Sequence, residues 1–97
     1  MAFFLAIDLG TSSLKAALYD DSGYLLAASI ESYPLSYPHT GWVEQSPQDW
    51  WRACCLACKR VLAENNVPID AVCVSGQAPG CVPVNKQGEP LRPAIIW

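Results

Sequence analysis

Ala6-Ile7-Asp8-Leu9-Gly10-Thr11-Ser12-Ser13 decides how this chain opens. An apolar run, Phe3 to Ile7, ends on a carboxylate. Glycine and three hydroxyl residues follow at once, and a second apolar run, Leu14 to Tyr19, begins behind them. Two apolar runs of strand length split by turn residues read as strand, tight turn, strand. The tip gathers what a metal-bound phosphate requires. Gly10 lets the backbone come close to a ligand, and successive N–H groups in a turn form an anion-binding concavity. Thr11, Ser12 and Ser13 add hydroxyl donors. Asp8 suits Mg2+, a hard cation that keeps several waters and takes few carboxylates. The same residue types also build ordinary hairpins, so the tip alone leaves both readings open.

Other phosphate motifs are missing. The sequence has no G-x-x-x-x-G-K-[ST] and no G-x-G-x-x-G opening a helix, so neither a P-loop nor a dinucleotide fold is indicated. A phosphate would therefore sit between two strands rather than at a helix N-terminus.

The 97 residues suffice for one small domain with a modest core. They are 52% hydrophobic and only 15% charged, against about 25% charged in ordinary globular domains. A piece of a larger protein, with part of its surface covered, has this composition. The net charge is −3 and no basic run exists, which argues against nucleic-acid binding. No stretch approaches the roughly 20 apolar residues that span a membrane. Met1 to Ile7 lacks a basic leader and runs straight into Asp8, unlike a signal peptide. A cytoplasmic protein with five reduced thiols is expected. Cys54, Cys55 and Cys58 have no second Cys pair and no nearby histidine to complete a metal site, and read as small buried thiols on a packed helix.

Outward from the hairpin, Asp20-Asp21-Ser22-Gly23 signals a turn and Tyr24 to Tyr33 a third strand, giving an antiparallel meander. Pro34 to Ser46 reads as an irregular loop with His39 exposed. Ser46 as N-cap, Pro47 at the first helical position and Asp49 in the first turn start a helix that Asn65, Asn66 and Pro68 stop. Trp42, Trp50 and Trp51 are expected to pack, and Glu44 and Gln45 to cap or brace the loop before the helix. Ala71 to Ser75 reads as a short buried strand, Cys81 to Val84 as another, and Pro93 to Trp97 as the start of a further apolar run. The class is α/β: a three-strand meander, a helix on one face, and further strands of a mixed sheet.

Four separated stretches then fall into one pattern. Asp8-Leu9-Gly10-Thr11-Ser12-Ser13 resembles the first phosphate loop of the sugar-kinase, actin and Hsp70 superfamily. Gly41-Trp42-Val43-Glu44-Gln45-Ser46-Pro47 resembles the G-W-V-E-Q-x-P element of the FGGY carbohydrate kinases. Ser75-Gly76-Gln77-x-x-Gly80 resembles the sugar-site loop of their xylulokinase branch. Gly88 to Trp97 resembles the strand leading into that family's W-x-D-x-R segment. The resemblance covers nearly the whole chain.

It implies an actin-like ATPase (ribonuclease H-like) fold, with residues 1–97 forming the N-terminal part of domain I and the remainder and domain II absent. It implies a parent enzyme that moves the γ-phosphoryl of ATP, with Mg2+, onto a hydroxyl of a sugar or polyol. It also allows a homodimer for the full-length protein. By resemblance, Asp8 orients hydrated Mg2+, and Gly10, Thr11, Ser12 and Ser13 hold the transferring phosphate. Gln77 and Ala78 line the sugar, and Trp97 matches a tryptophan of the polyol pocket in glycerol kinases. Xylulokinases carry Met-His where this chain has Ala78-Pro79, and the Arg-Glu pair of glycerol kinases is also missing. The family's general base lies beyond Trp97, so no catalytic base is assigned and the isolated chain is expected to be inactive. A non-catalytic nucleotide- or partner-binding module, or an actin- or Hsp70-like ATPase, remain the alternatives.

Overall fold

Alternate residues of the first strand, Phe3, Leu5, Ile7 and Leu9, are apolar, and a strand sends alternate side chains to one face. In the computed structural model, which describes all 97 residues, these four pack on the core while Phe4 and Asp8 are exposed. The strands are β1 (Phe3–Leu9), β2 (Ser13–Asp20) and β3 (Leu25–Ser32). β1 pairs antiparallel with β2 from Phe3↔Asp20 to Leu9↔Leu14, and β2 pairs antiparallel with β3. The expected meander is present. Its second turn is closed by Asp20, whose Oδ1 accepts from Ser22 N, Ser22 Oγ and Tyr24 N, with Gly23 at φ 84°. The Ser22 hydroxyl bond, followed by the amide bonds, lowers the Asp20 pKa.

The helix, α1 (Pro47–Ala63), follows a two-residue strand, β4 (Glu44–Gln45). Pro47 and Asp49 stand in its first turn as expected. Ser46 has the extended N-cap backbone but no side-chain cap bond; its hydroxyl meets Gln48 Oε1 at 2.8 Å instead. Ala53, Ala57 and Val61 bury the helix against β2 and β3, on Leu14, Ala16 and Leu18. The small residues on the helix let it approach the sheet closely. Cys54, Cys55 and Cys58 are only partly buried. Burial, with Cys54 and then Cys55 alongside, pushes the Cys58 thiol up to about 11.

After α1 the chain returns as β5 (Ala71–Gly76), parallel to β1, completing a mixed sheet in the order β3-β2-β1-β5. Asp70 prepares this pairing: its carboxylate accepts from Phe3 N at 2.8 Å while its own N–H donates to Phe3 O at 2.9 Å. A short β6 (Ala94–Ile95) pairs antiparallel with β4.

Four sequence expectations need correction. β5 is exposed along its whole length, because α1 lies over β2 and β3 and nothing covers the sheet edge. Residues 81–84 do not form a strand; Cys81 and Val84 make single bridges, to Ile95 and Pro90, as the prolines around them interrupt any ladder. The loop after Pro34 contains β4, held by β6 from a distant part of the chain. Of the three tryptophans expected to pack, only Trp50 packs on the core; Trp51 is exposed, and Trp42 is exposed with an edge-to-face contact to His39. The radius of gyration, 15.2 Å, exceeds the roughly 12–13 Å expected of a compact chain this long.

Candidate functional site

The β1–β2 turn is held from below by its carbonyls. Tyr33 OH donates to Gly10 O, and Gln77 Nε2 lies 3.4 Å from the same oxygen. Gln45 Nε2 donates to Thr11 O. Tyr33 N donates to Ser12 O at 3.2 Å. Gly10 N closes the turn on Ser13 O at 3.0 Å, whereas the N–H groups of Thr11 and Ser12 donate to nothing in the chain. With the carbonyls of Gly10, Thr11 and Ser12 bonded within the chain, the turn keeps two backbone donors unused, as an anion-binding turn requires. Gly10 is required sterically. A Cβ there would lie 2.8 Å from Ser13 O and 3.1 Å from Lys15 Nζ.

Asp8 and Lys15 face each other across the hairpin and point to the side of the sheet away from α1. With Ala6, Ala17, Tyr19 and Ser75 they line an open concavity of about 360 Å³. Lys15 went unnoticed in the sequence. Counting the register outward from the turn would have found it, because residues 8 and 15 are opposite in a hairpin closed at 10–13. Tyr33 was missed as well. It is buried, and burial, with the negative charge of Asp8 adding to it, pushes its hydroxyl up to about 12, so it stays a donor.

Gln77 continues the β5 ladder, donating its N–H to Leu9 O at 2.8 Å. Its side chain turns toward the turn and donates to Gln45 Oε1 at 2.9 Å. Ala78 follows in an exposed loop. Trp97 lies in a separate concavity of about 230 Å³ with Trp42, Val43, Ile95 and the Arg92–Glu44 ion pair. The Cys81↔Ile95 bridge ties the end of the Gln77 loop to the strand that leads into Trp97. Glu44 and Gln45, expected to brace, are both buried and bonded.

One carboxylate beside two free amides and a lysine suits Mg2+ carried by a phosphate and water, which asks for few protein ligands. No cluster of three metal-ligating side chains exists, so a protein-caged metal is not indicated. No helix is long and apolar enough to cross a membrane.

A three-strand antiparallel meander continued by a parallel strand, with a helix on one face, belongs to an actin-like ATPase fold. Residues 3–97 match the N-terminal domain of the FGGY family of carbohydrate kinases, and the chain belongs to that family. It is 37% identical over 95 residues to a xylulose kinase of Escherichia coli K12, covering 97% of this chain and 20% of the relative. It is 34% identical over 101 residues to a glycerol kinase of Paracidovorax citrulli, covering 100% of this chain and 20% of that protein. The solved structure of a xylulose kinase from Brucella ovis superposes with a TM-score of 0.93 at 35% identity, over 98% of this chain and 21% of the other. The chain thus spans about a fifth of the length of the curated relatives it matches.

Proposed function

We propose that this chain is the N-terminal part of domain I of a cytoplasmic, ATP-dependent sugar or polyol kinase, supplying the phosphate-binding turn and one wall of the sugar pocket. The observation that carries the reading is the turn itself: inward-tied carbonyls, two unused N–H groups at Thr11 and Ser12, and the Asp8–Lys15 pair beside them. Family membership and the xylulose and glycerol kinase relatives support the substrate class.

In this reading Gly10, Thr11, Ser12 and Ser13 hold the transferring phosphoryl group through backbone N–H and hydroxyl donors, and Lys15 adds a positive charge. Asp8 is the residue that would hold hydrated Mg2+ beside the phosphate. The ion, when bound, draws negative charge from the phosphate oxygens. Phosphoryl transfer depends mainly on positioning and charge stabilisation, and these residues provide both on one side of the reacting bond. Gln77 and Ala78 set the sugar loop, and Trp97 offers an apolar face to the carbon side of the sugar or polyol.

The test is ADP release by the full-length enzyme over a panel of pentoses, ketoses, sugar acids and polyols with Mg2+. Turnover stimulated by one or a few of them is expected. ATP turnover indifferent to the whole panel would reject the reading.

A further inference from the structure

Gln45 has a larger task than bracing. It is 2% exposed and both ends of its amide are used. Nε2 donates to Thr11 O; Oε1 accepts from Trp50 Nε1 at 3.0 Å and from Gln77 Nε2 at 2.9 Å. An indole N–H only donates. Trp50 therefore fixes which end of the Gln45 amide is oxygen, and so turns its nitrogen toward the phosphate turn. Gln77 must then offer its own nitrogen to Gln45, which leaves Gln77 Oε1 over. That atom is buried without a partner, the one buried side-chain polar atom left so.

We infer that Gln45 is a positioning residue that couples the sugar loop to the phosphate turn, through a hydrogen-bond relay whose polarity Trp50 sets. This inference rests on the kinase reading above. The relay joins residues 34 and 32 positions apart in the chain, from Thr11 to Gln45 and on to Gln77. The turn is gripped at Thr11 O by Gln45 and at Gly10 O by Tyr33 and Gln77. A shift of the Gln77 loop on sugar binding would pull on two of these grips together. Coupling between two sites is reciprocal, so nucleotide should tighten sugar binding by the same factor as sugar tightens nucleotide.

The experiment compares wild type with Gln45→Met, Gln45→Glu and Trp50→Phe. In the intact kinase, nucleotide affinity is measured with and without sugar, beside kcat and sugar KM. Gln45→Met is expected to bring the ratio of nucleotide affinities close to one. It should lower kcat by about tenfold, the effect of losing one good hydrogen bond, with sugar KM within about twofold of wild type. Gln45→Glu keeps the acceptor for Trp50 and Gln77 but sets oxygen against Thr11 O, and should lose the coupling equally. Trp50→Phe should lose part of it.

A second readout does not need activity. Amide exchange at Gly10, whose N–H closes the turn on Ser13 O, is followed by residue-resolved exchange mass spectrometry in the intact protein and in its Gln45→Met variant. Protection at Gly10 should fall in the variant while the β1–β2 ladder amides hold theirs. Unchanged Gly10 protection, or wild-type coupling in Gln45→Met, overturns the inference. If no sugar stimulates the wild type, the kinase reading fails instead, and the Gly10 exchange still decides whether Gln45 positions the turn.

Discussion

Strands β1 and β5 lie side by side and are similarly apolar, yet they meet opposite surroundings. Leu5 pairs with Val72 and Ile7 with Val74, on the same face of the sheet. Leu5 is 7% exposed, while Val72 is 56% and Val74 66% exposed. The difference is the helix. α1 packs on β2 and β3, and Leu5 of the neighbouring β1 joins the core cluster with Ala53, Ala57 and Val61, whereas no element lies over β5. Burial belongs to whatever lies over a strand, not to the strand. The same contrast separates the two halves of the candidate site. The β1–β2 turn grows out of the packed meander and is gripped from beneath by Tyr33, Gln45 and Gln77. The Gln77 loop and Trp97 grow out of the uncovered part, where the chain has few neighbours.

The largest effect should come from Asp8→Asn in the full-length enzyme. Asp8 is exposed on the outer sheet face, so its loss should leave folding intact. If it holds Mg2+ on the phosphate, kcat should drop by about a hundred- to a thousandfold with sugar affinity, measured without nucleotide, unchanged. Wild-type turnover would remove Asp8 from the mechanism.

Next comes the packing contrast itself. Leu18→Ala, at a fully buried position of β2, should cost about 2–5 kcal/mol, whereas Val74→Ala should fall within about 0.5 kcal/mol. Denaturant melts of the two variants measure this directly. Equal losses would mean that β5 is covered in solution and would abolish the contrast.

Tyr33 sharpens the comparison from the turn's side. Burial, with the charge of Asp8 adding to it, pushes its hydroxyl from the ordinary 10.0 up to about 12 in the folded chain. The folded state thus holds this proton more tightly, so the stabilisation is complete below pH 10 and is lost as pH rises from 10 to 12. The loss should reach at most roughly 3 kcal/mol. Stability measured across that range should fall for wild type and stay flatter for Tyr33→Phe; parallel curves would show that Tyr33 does not carry the alkaline loss.

The smallest effect is expected at Arg60, which bonds Glu31 of β3 at 2.5 Å from an exposed position on α1. Arg60→Ala should cost only about 0.2–1 kcal/mol and less at high salt. A larger loss would mean that charge, and not the Ala53–Ala57–Val61 stripe, seats the helix.

The sequence by itself determined the local pieces. Alternation at residues 3, 5, 7 and 9, the Gly10 and Gly23 turns, and the Pro47 start with its Asn65-Asn66 stop specify the meander and helix through interactions a few residues long. The four family-like stretches placed Asp8 and the turn at the candidate site. Only the tertiary structure decided which strand is covered, that Trp42 and Trp51 stay exposed, and that β4 exists at all. It alone brought Tyr33, Gln45 and Gln77 under the turn, because these contacts join residues 23, 34 and 67 apart in the chain. A pattern of neighbouring side chains fixes dihedral preference and facing. It carries no information on which distant amide will reach a given carbonyl, because that is set by how the helix seats on the sheet and where the chain returns.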